Sequence, residues 1–201
     1  MILSNSAIFE ALDTGAVIIQ PEPAPRLSTA LAKSPYQTSA VDLCLGNTIA
    51  YVRDGLAVNV DLRRGRFDQL FVPNSTTITI SEEQPFALEN GRLVLGRTLE
   101  FVELPIRTGS KCFAARVEGK SSFARCGLLV HFTAPTVHAG FRGHITLELM
   151  NLGPLPILLF PNMPICQLVL EEVFGQPIPN DSQFHGQTHP GGPAGNRPSV
   201  G

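Results

Sequence analysis

The chain has 201 residues, of which 43% are hydrophobic and 16% charged, with a formal net charge of −2. That apolar content excludes intrinsic disorder for the chain as a whole and is enough for one substantial core. The near-neutral balance argues against a basic surface for nucleic acid or anionic lipid, and no apolar run approaches the ~20 residues of a membrane helix.

In chain order, the first segment reads as a short helix. Ser4 or Asn5 can cap it, Ile8 and Leu12 share a face, and Gly15 can end it. Glu10 and Asp13, with no positive flank, argue against a secretory leader. Residues 16–20 read as a brief strand, and residues 21–35, with four prolines, as an irregular connection. From Val41 onward short strands alternate with turn residues. Residues 76–80 are β-branched throughout, and Asn90-Gly91 is a hairpin-type turn signal ahead of residues 92–95. Residues 99–104, 112–117, 128–132, 144–151, 155–160 and 165–173 continue the series. Together with 17 prolines and 18 glycines this favours a β-barrel or double-sheet jelly roll over a helical bundle. Residues 1–174 form one domain in this reading. Residues 175–201, poor in apolar side chains, read as a flexible C-terminal arm that either stays loose or orders over a ligand or a neighbouring subunit.

Three stretches hold candidate chemistry. Gly119-Lys120-Ser121-Ser122-Phe123-Ala124-Arg125 offers two cations, two hydroxyls and a glycine, a set able to meet phosphate; Ala114 rules out a P-loop. In His144-Ile145-Thr146-Leu147-Glu148-Leu149, alternation puts His144, Thr146 and Glu148 on one face, where a carboxylate in a dry pocket can shuttle protons; on pattern alone a solvated face is favoured. The third is the turn with His138, which by itself signals little. Zinc deaminases need H-x-E and P-C-x-x-C, and neither occurs, so a deaminase here has to work without zinc. Cys44, Cys112, Cys126 and Cys166 lack C-x-x-C spacing and read as small buried hydrophobes of a reducing cytoplasm.

Taken in order, these pieces resemble the dCTP deaminase branch of the dUTPase-like superfamily. Ser39-Ala40-Val41-Asp42-Leu43-Cys44-Leu45-Gly46-Asn47 is similar to that family's S-x-D-L-R-L-G-N, and Gly119 to Arg125 to its G-[RK]-S-S-x-A-R. Gly127-Leu128-Leu129-Val130-His131-Phe132-Thr133-Ala134 continues the likeness. Gly140-Phe141-Arg142-Gly143-His144-Ile145-Thr146-Leu147-Glu148 resembles G-[WF]-x-G-x-I-x-L-E, and residues 161–168 resemble P-G-M-x-I-x-Q-L. The likeness runs from residue 1 to about residue 173 and reverses the bland reading of Glu148 and of the Lys120–Arg125 loop.

The resemblance implies a mainly β, dUTPase-like homotrimer with sites at subunit interfaces, acting on dCTP or dUTP and bound to neither nucleic acid nor membrane. Glu148 would be the general acid/base, Ser121 and Arg125 its catalytic supports. Lys120, Ser122 and Ala124 would contact substrate, Lys120 and Ser122 at the phosphates. The backbone of Ala134 would help hold the water. Thr146 and Leu147 would line the base pocket, with His138, Gln167 and Gln187 as further substrate contacts. No metal site is implied in the protein, and magnesium would ride on the triphosphate. His138 replaces the Asp that contacts the sugar, Pro135-Thr136 fits neither subtype pattern, and Gln183 and Phe184 replace the Lys and Tyr of S-K-Y-x-G-Q. Three readings follow: deamination of dCTP to dUTP, a bifunctional deaminase forming dUMP and diphosphate, and a non-catalytic nucleotide-binding regulator.

Overall fold

The computed structural model describes residues 1–55, 59–61, 63 and 71–179. Helix α1 (Asn5–Asp13) starts where Ser4 Oγ accepts the Ala7 N–H at 3.3 Å, a cap contributing about 1 kcal/mol. It ends at Gly15, with Arg107 donating to the last carbonyls, Thr14 at 3.2 Å and Gly15 at 2.6 Å. Ile8 and Ala11 are its buried face. Within residues 21–35, Arg26 ties the connection back to α1 through Asp13 at 2.7 Å and is braced within the connection by Glu22 at 2.6 Å.

The strands are β1 (Ile18–Gln20), β2 (Val41–Cys44), β3 (Thr48–Val52), β4 (Ser75–Thr79), β5 (Phe86–Leu88), β6 (Leu93–Glu103), β7 (Cys112–Gly119), β8 (Leu128–Val130), β9 (Thr136–Val137), β10 (Arg142–Asn151), β11 (Ile157–Leu159) and β12 (Pro164–Val173). Helix α2 (Ser121–Ala124) is a single turn between β7 and β8. One sheet runs β4-β3-β6-β10-β8 with β1 also on β6; a second runs β2-β12-β7-β9; β11 and β5 pair alone. One apolar core draws on both large sheets and on α1, as a jelly roll requires. Leu43, Leu147, Leu149, Leu168 and Leu170 are fully buried in it, each contributing roughly 1.5–3 kcal/mol. No described helix is long and apolar enough to cross a membrane.

The structure differs from the sequence reading in three places. Residues 92–95 and 99–104 belong to one long strand, β6. Gly96 is not punctuation but a packing position: a Cβ there would lie 2.9 Å from Leu45 Cδ1 and 3.2 Å from Leu149 Cδ1. Asn90-Gly91 does turn, with Gly91 at φ +73, but it joins no hairpin: β5 pairs with β11 and β6 with β10. The turn is fastened to the far end of β10 instead, through Gly91 N–H to the Asn151 carbonyl at 2.7 Å. Finally, Cys112 and Cys166 are buried and Cys44 is half-buried, but Cys126 is exposed, because it follows α2 on the surface.

Candidate active site

The alternation read from residues 144–149 is present in β10. Ile145, Leu147 and Leu149 enter the core, so His144, Thr146 and Glu148 share the opposite face. That face is half-buried rather than freely solvated. Thr146 Oγ1 and Glu148 Oε2 are enclosed atoms with no hydrogen-bond partner in the chain. Beside them stands His131, just past the end of β8. Its N–H donates to the Glu148 carbonyl at 2.8 Å, extending the β8–β10 pairing, and its φ of +51 turns the side chain toward β10. Its Nδ1 lies 2.5 Å from Glu148 Oε2, without the alignment of a hydrogen bond. His144 sets its ring edge-on against Phe101 and meets the Thr98 carbonyl through Nδ1 at 3.1 Å. Burial, followed by the charge of Arg97, holds the His144 pKa below the ordinary histidine value. Leu147 is wholly in the core, so only its backbone can face a ligand at this strand.

A second cluster forms on the other large sheet. Asp42 of β2 is buried; it pairs with Lys120 Nζ and accepts the Gln167 amide N–H at 2.9 Å. The β12 register explains the meeting, since Gln167 stands opposite Asp42 on one side and Glu118 on the other. Just beyond, α2 exposes Ser121, Ser122, Ala124 and Arg125 to solvent. Its N–H groups are turned into the one helical turn, as with Phe123 and Ala124 donating to the Lys120 carbonyl at 3.0 and 2.9 Å.

Thus the structure brings Lys120 and Gln167 together, and Thr146 with Glu148. Among the described residues no hydrogen bond or ion pair joins Glu148 to Ser121 or Arg125. Ala134 is exposed just before β9, and His138 is exposed in the turn leading to β10, its carbonyl accepting the Phe141 N–H at 3.1 Å. Gln187, Gln183 and Phe184 lie outside the described residues, as does most of the arm. Two sizeable surface depressions are found elsewhere. One of about 390 Å³ lies between α1 and Arg107, Lys111 and Glu172; one of about 560 Å³ is bordered by Asn47, Glu82, Arg97 and Asn162. Sequence reasoning passed over Asp42 and His131, though both stand inside the motifs quoted for the resemblance.

A family model described as dCTP deaminase-like matches residues 2–173. A relative in Dictyoglomus thermophilum named "dCTP deaminase, dUMP-forming" is 38% identical over 168 residues, 84% of this chain and 78% of that one. A relative of the same name in Methanosphaera stadtmanae is 34% identical over 196 residues, covering 94% and 91%. The fold is also similar to the crystal structure of 2'-deoxycytidine 5'-triphosphate deaminase from Agrobacterium tumefaciens, with TM-score 0.58 and 20% identity. That match covers 84% of this chain and spans 47% of the solved one.

Proposed function

We propose that this chain, which belongs to the dCTP deaminase-like family, removes the C4 amino group of dCTP by hydrolysis, giving dUTP and ammonia without zinc. The observation that carries the reading is Glu148 on a half-buried strand face, with its Oε2 enclosed and 2.5 Å from His131 Nδ1. A carboxylate on such a face, beside an imidazole, is placed to take up and release protons. Glu148 would take a proton from the water attacking C4 and place it on N3, then take the proton of the new C4 hydroxyl and deliver it to the amino group, which leaves as ammonia while the C4 carbonyl forms. As C4 becomes tetrahedral, negative charge grows on the ring, and a hydroxyl and a fixed cation stabilise it. Ser121 and Arg125 are the residues of those types.

Neither is bonded to Glu148 within the chain, and in this reading both come from a neighbouring copy of a homotrimer with sites at subunit boundaries, as the family resemblance implies. Lys120 and Ser122 would meet the phosphates, with Ala124 beside them. Thr146 and the backbone of Leu147 would line the base, and the Ala134 backbone would hold the water. Gln167, His138 and Gln187 complete the substrate contacts. Magnesium arrives with the triphosphate as part of the substrate. The reaction belongs to the cytoplasm, where that nucleotide is made.

A second reading rests on the relatives named dUMP-forming: hydrolysis continues past dUTP to dUMP and diphosphate. His138, standing where the family carries an acid, weighs against it. Product analysis of dCTP, dCMP, CTP and dUTP, each with magnesium, decides between them. Ammonia and dUTP from dCTP support the first reading, and dUMP with diphosphate the second. Tight binding of dCTP without turnover of any cytosine nucleotide would leave a non-catalytic nucleotide-binding protein.

A further inference from the structure

Asp42 is a carboxylate on a rigid mount. Val41 and Leu43 on either side of it are fully buried in the core, and its own N–H donates to the Pro35 carbonyl at 2.9 Å. Alternation turns its side chain to the other face of the sheet, where it is still only 8% exposed. Register places Asp42, Gln167 and Glu118 in one row across β2, β12 and β7, and Lys120 follows directly after β7. Both carboxylate oxygens are taken: Oδ1 accepts the Gln167 amide N–H and Oδ2 pairs with the Lys120 ammonium.

Lys120 and Gln167 are both substrate contacts in the reading given above. Each keeps polar groups in hand for a ligand, since an ammonium carries three N–H groups and a side-chain amide two, with a carbonyl besides. Among the described residues neither side chain has another partner. Long side chains that are free in solution lose rotamer freedom when a ligand orders them, which weakens binding; held by Asp42, these two are ordered beforehand. Without the carboxylate, the mostly buried Lys120 ammonium would turn out to water rather than stay desolvated, and so leave the place where phosphate is met. The hold extends to α2, one turn of four residues with no side-chain cap and no buried residue, too short to keep its own shape. Phe123 packs against the core, and the Lys120–Asp42 pair fastens the other end of the turn, where the Lys120 carbonyl accepts the Phe123 and Ala124 N–H groups.

We propose that Asp42 is a positioning residue of the phosphate subsite: it holds the Lys120 ammonium, with the Gln167 amide beside it, where the nucleotide phosphates arrive, so that the subsite is formed before the nucleotide binds. This rests on the site reading given above and deepens it. Asp42 itself touches no phosphate, because donors occupy both of its oxygens and its charge repels another anion.

The experiment measures dissociation constants for dCTP and for dCMP, each with magnesium, by titration calorimetry of the full chain. The chains titrated carry Glu148→Gln, which in the reading above consumes no nucleotide, and have Asp42 intact or changed to Asn or Ala. The quantity read is the ratio of the two constants on one variant. It isolates the outer phosphates, and it is blind to a loss of folded chain, which weakens both ligands alike. With Asp42 intact, dCTP should bind the more tightly. Asp42→Ala, which frees both donors, should reduce that preference about tenfold, and Asp42→Asn, which keeps an acceptor for Gln167 and frees Lys120 alone, about threefold. In chains already carrying Lys120→Met, Asp42→Asn should leave the ratio where it is, because the residue through which Asp42 acts is gone. A ratio unchanged in both Asp42 variants overturns the proposal and reduces the cluster to a contact of the fold. A ratio that rises overturns it too, since the carboxylate then only masks the Lys120 charge. Ammonia release from dCTP by wild type is followed alongside. Its absence, with the preference for dCTP intact, removes the deaminase reading and leaves the ratios to decide on Asp42; equal binding of dCTP and dCMP with Asp42 intact overturns the proposal whatever the turnover.

Discussion

Asp42 offers the most quantitative test of how the phosphate side of the site is held. Its carboxylate has two donors, Lys120 and Gln167, and the paired side chains of Lys120 and Asp42 are only 19% and 11% exposed. Taking one partner from a fully buried pair costs about 3–5 kcal/mol, because the remaining charge stays desolvated. Here water still reaches the edge of Lys120, so Asp42→Ala should cost less, about 2–3 kcal/mol. For a domain of this size, about 2–4 °C of melting temperature is lost per kcal/mol, which predicts a drop of roughly 4–12 °C. Asp42→Asn keeps an acceptor for Gln167 but loses the charge, and should give about half that drop. Thermal unfolding by circular dichroism reads both. A double-mutant cycle with Lys120→Ala should return a coupling of about 1–2 kcal/mol that survives added salt. If both Asp42 variants melt within about 1 °C of wild type, the cluster contributes nothing and the reasoning fails.

Other consequences are as direct. Glu148→Gln, which preserves shape and removes the proton shuttle, should lower kcat for ammonia release by about 10²–10⁴-fold with the fold unchanged; undiminished release would remove Glu148 from its role. Gly127→Ala should cost more than about 3 kcal/mol, since its φ of +96 disfavours any side chain and a Cβ would lie 2.2 Å from the Gly153 nitrogen. That residue links α2 to β8, so a variant melting like wild type would mean the chain there has an easy alternative path. His144, whose folded pKa is depressed, should weaken the fold as pH drops below about 6.5, where the unfolded chain binds the proton first. His144→Asn should show a shallower acid slope in urea unfolding, and an identical slope would show that the ring titrates alike in both states.

Much of the fold was legible because the long strands bury one face and alternate cleanly. In β10, Ile145, Leu147 and Leu149 announce their face, and Glu148 is placed by the same rule. The short strands β3, β5 and β9 escaped because a few residues hold too little periodicity, and their pairing is decided by distant partners such as β11 for β5. Gly96 shows a related limit. A glycine in a strand signals a break from sequence alone, whereas here it makes room for Leu45 and Leu149. Within the site, residue types were readable and contacts were not. Asp42 meets Lys120 and Gln167 only because β12 lies between β2 and β7, a fact of topology with no local signature.

The separation of the two clusters leads to the sharpest test of assembly. Glu148 lies on β10 of one sheet, and Arg125 follows α2, in the link from β7 of the other sheet to β8, with no bond between them among the described residues. The enclosed Thr146 hydroxyl oxygen lacks a partner in the chain, at a cost of about 1–3 kcal/mol. A ligand or a second copy that supplied donors there would offset that cost. If each site takes Glu148 from one copy and Arg125 from its neighbour, two inactive variants should complement each other. Coexpressed Glu148→Gln and Arg125→Ala chains, mixed at random in a trimer, would place an intact Glu148 against an intact Arg125 in about a quarter of the sites. Ammonia release should then return to about a quarter of the wild-type rate per chain, whereas either variant alone stays inactive. A site formed within one chain gives no recovery at any mixing ratio, because every chain carries a lesion. Absence of recovery in verified mixed oligomers would therefore confine the chemistry to a single subunit and undo the shared-site reading.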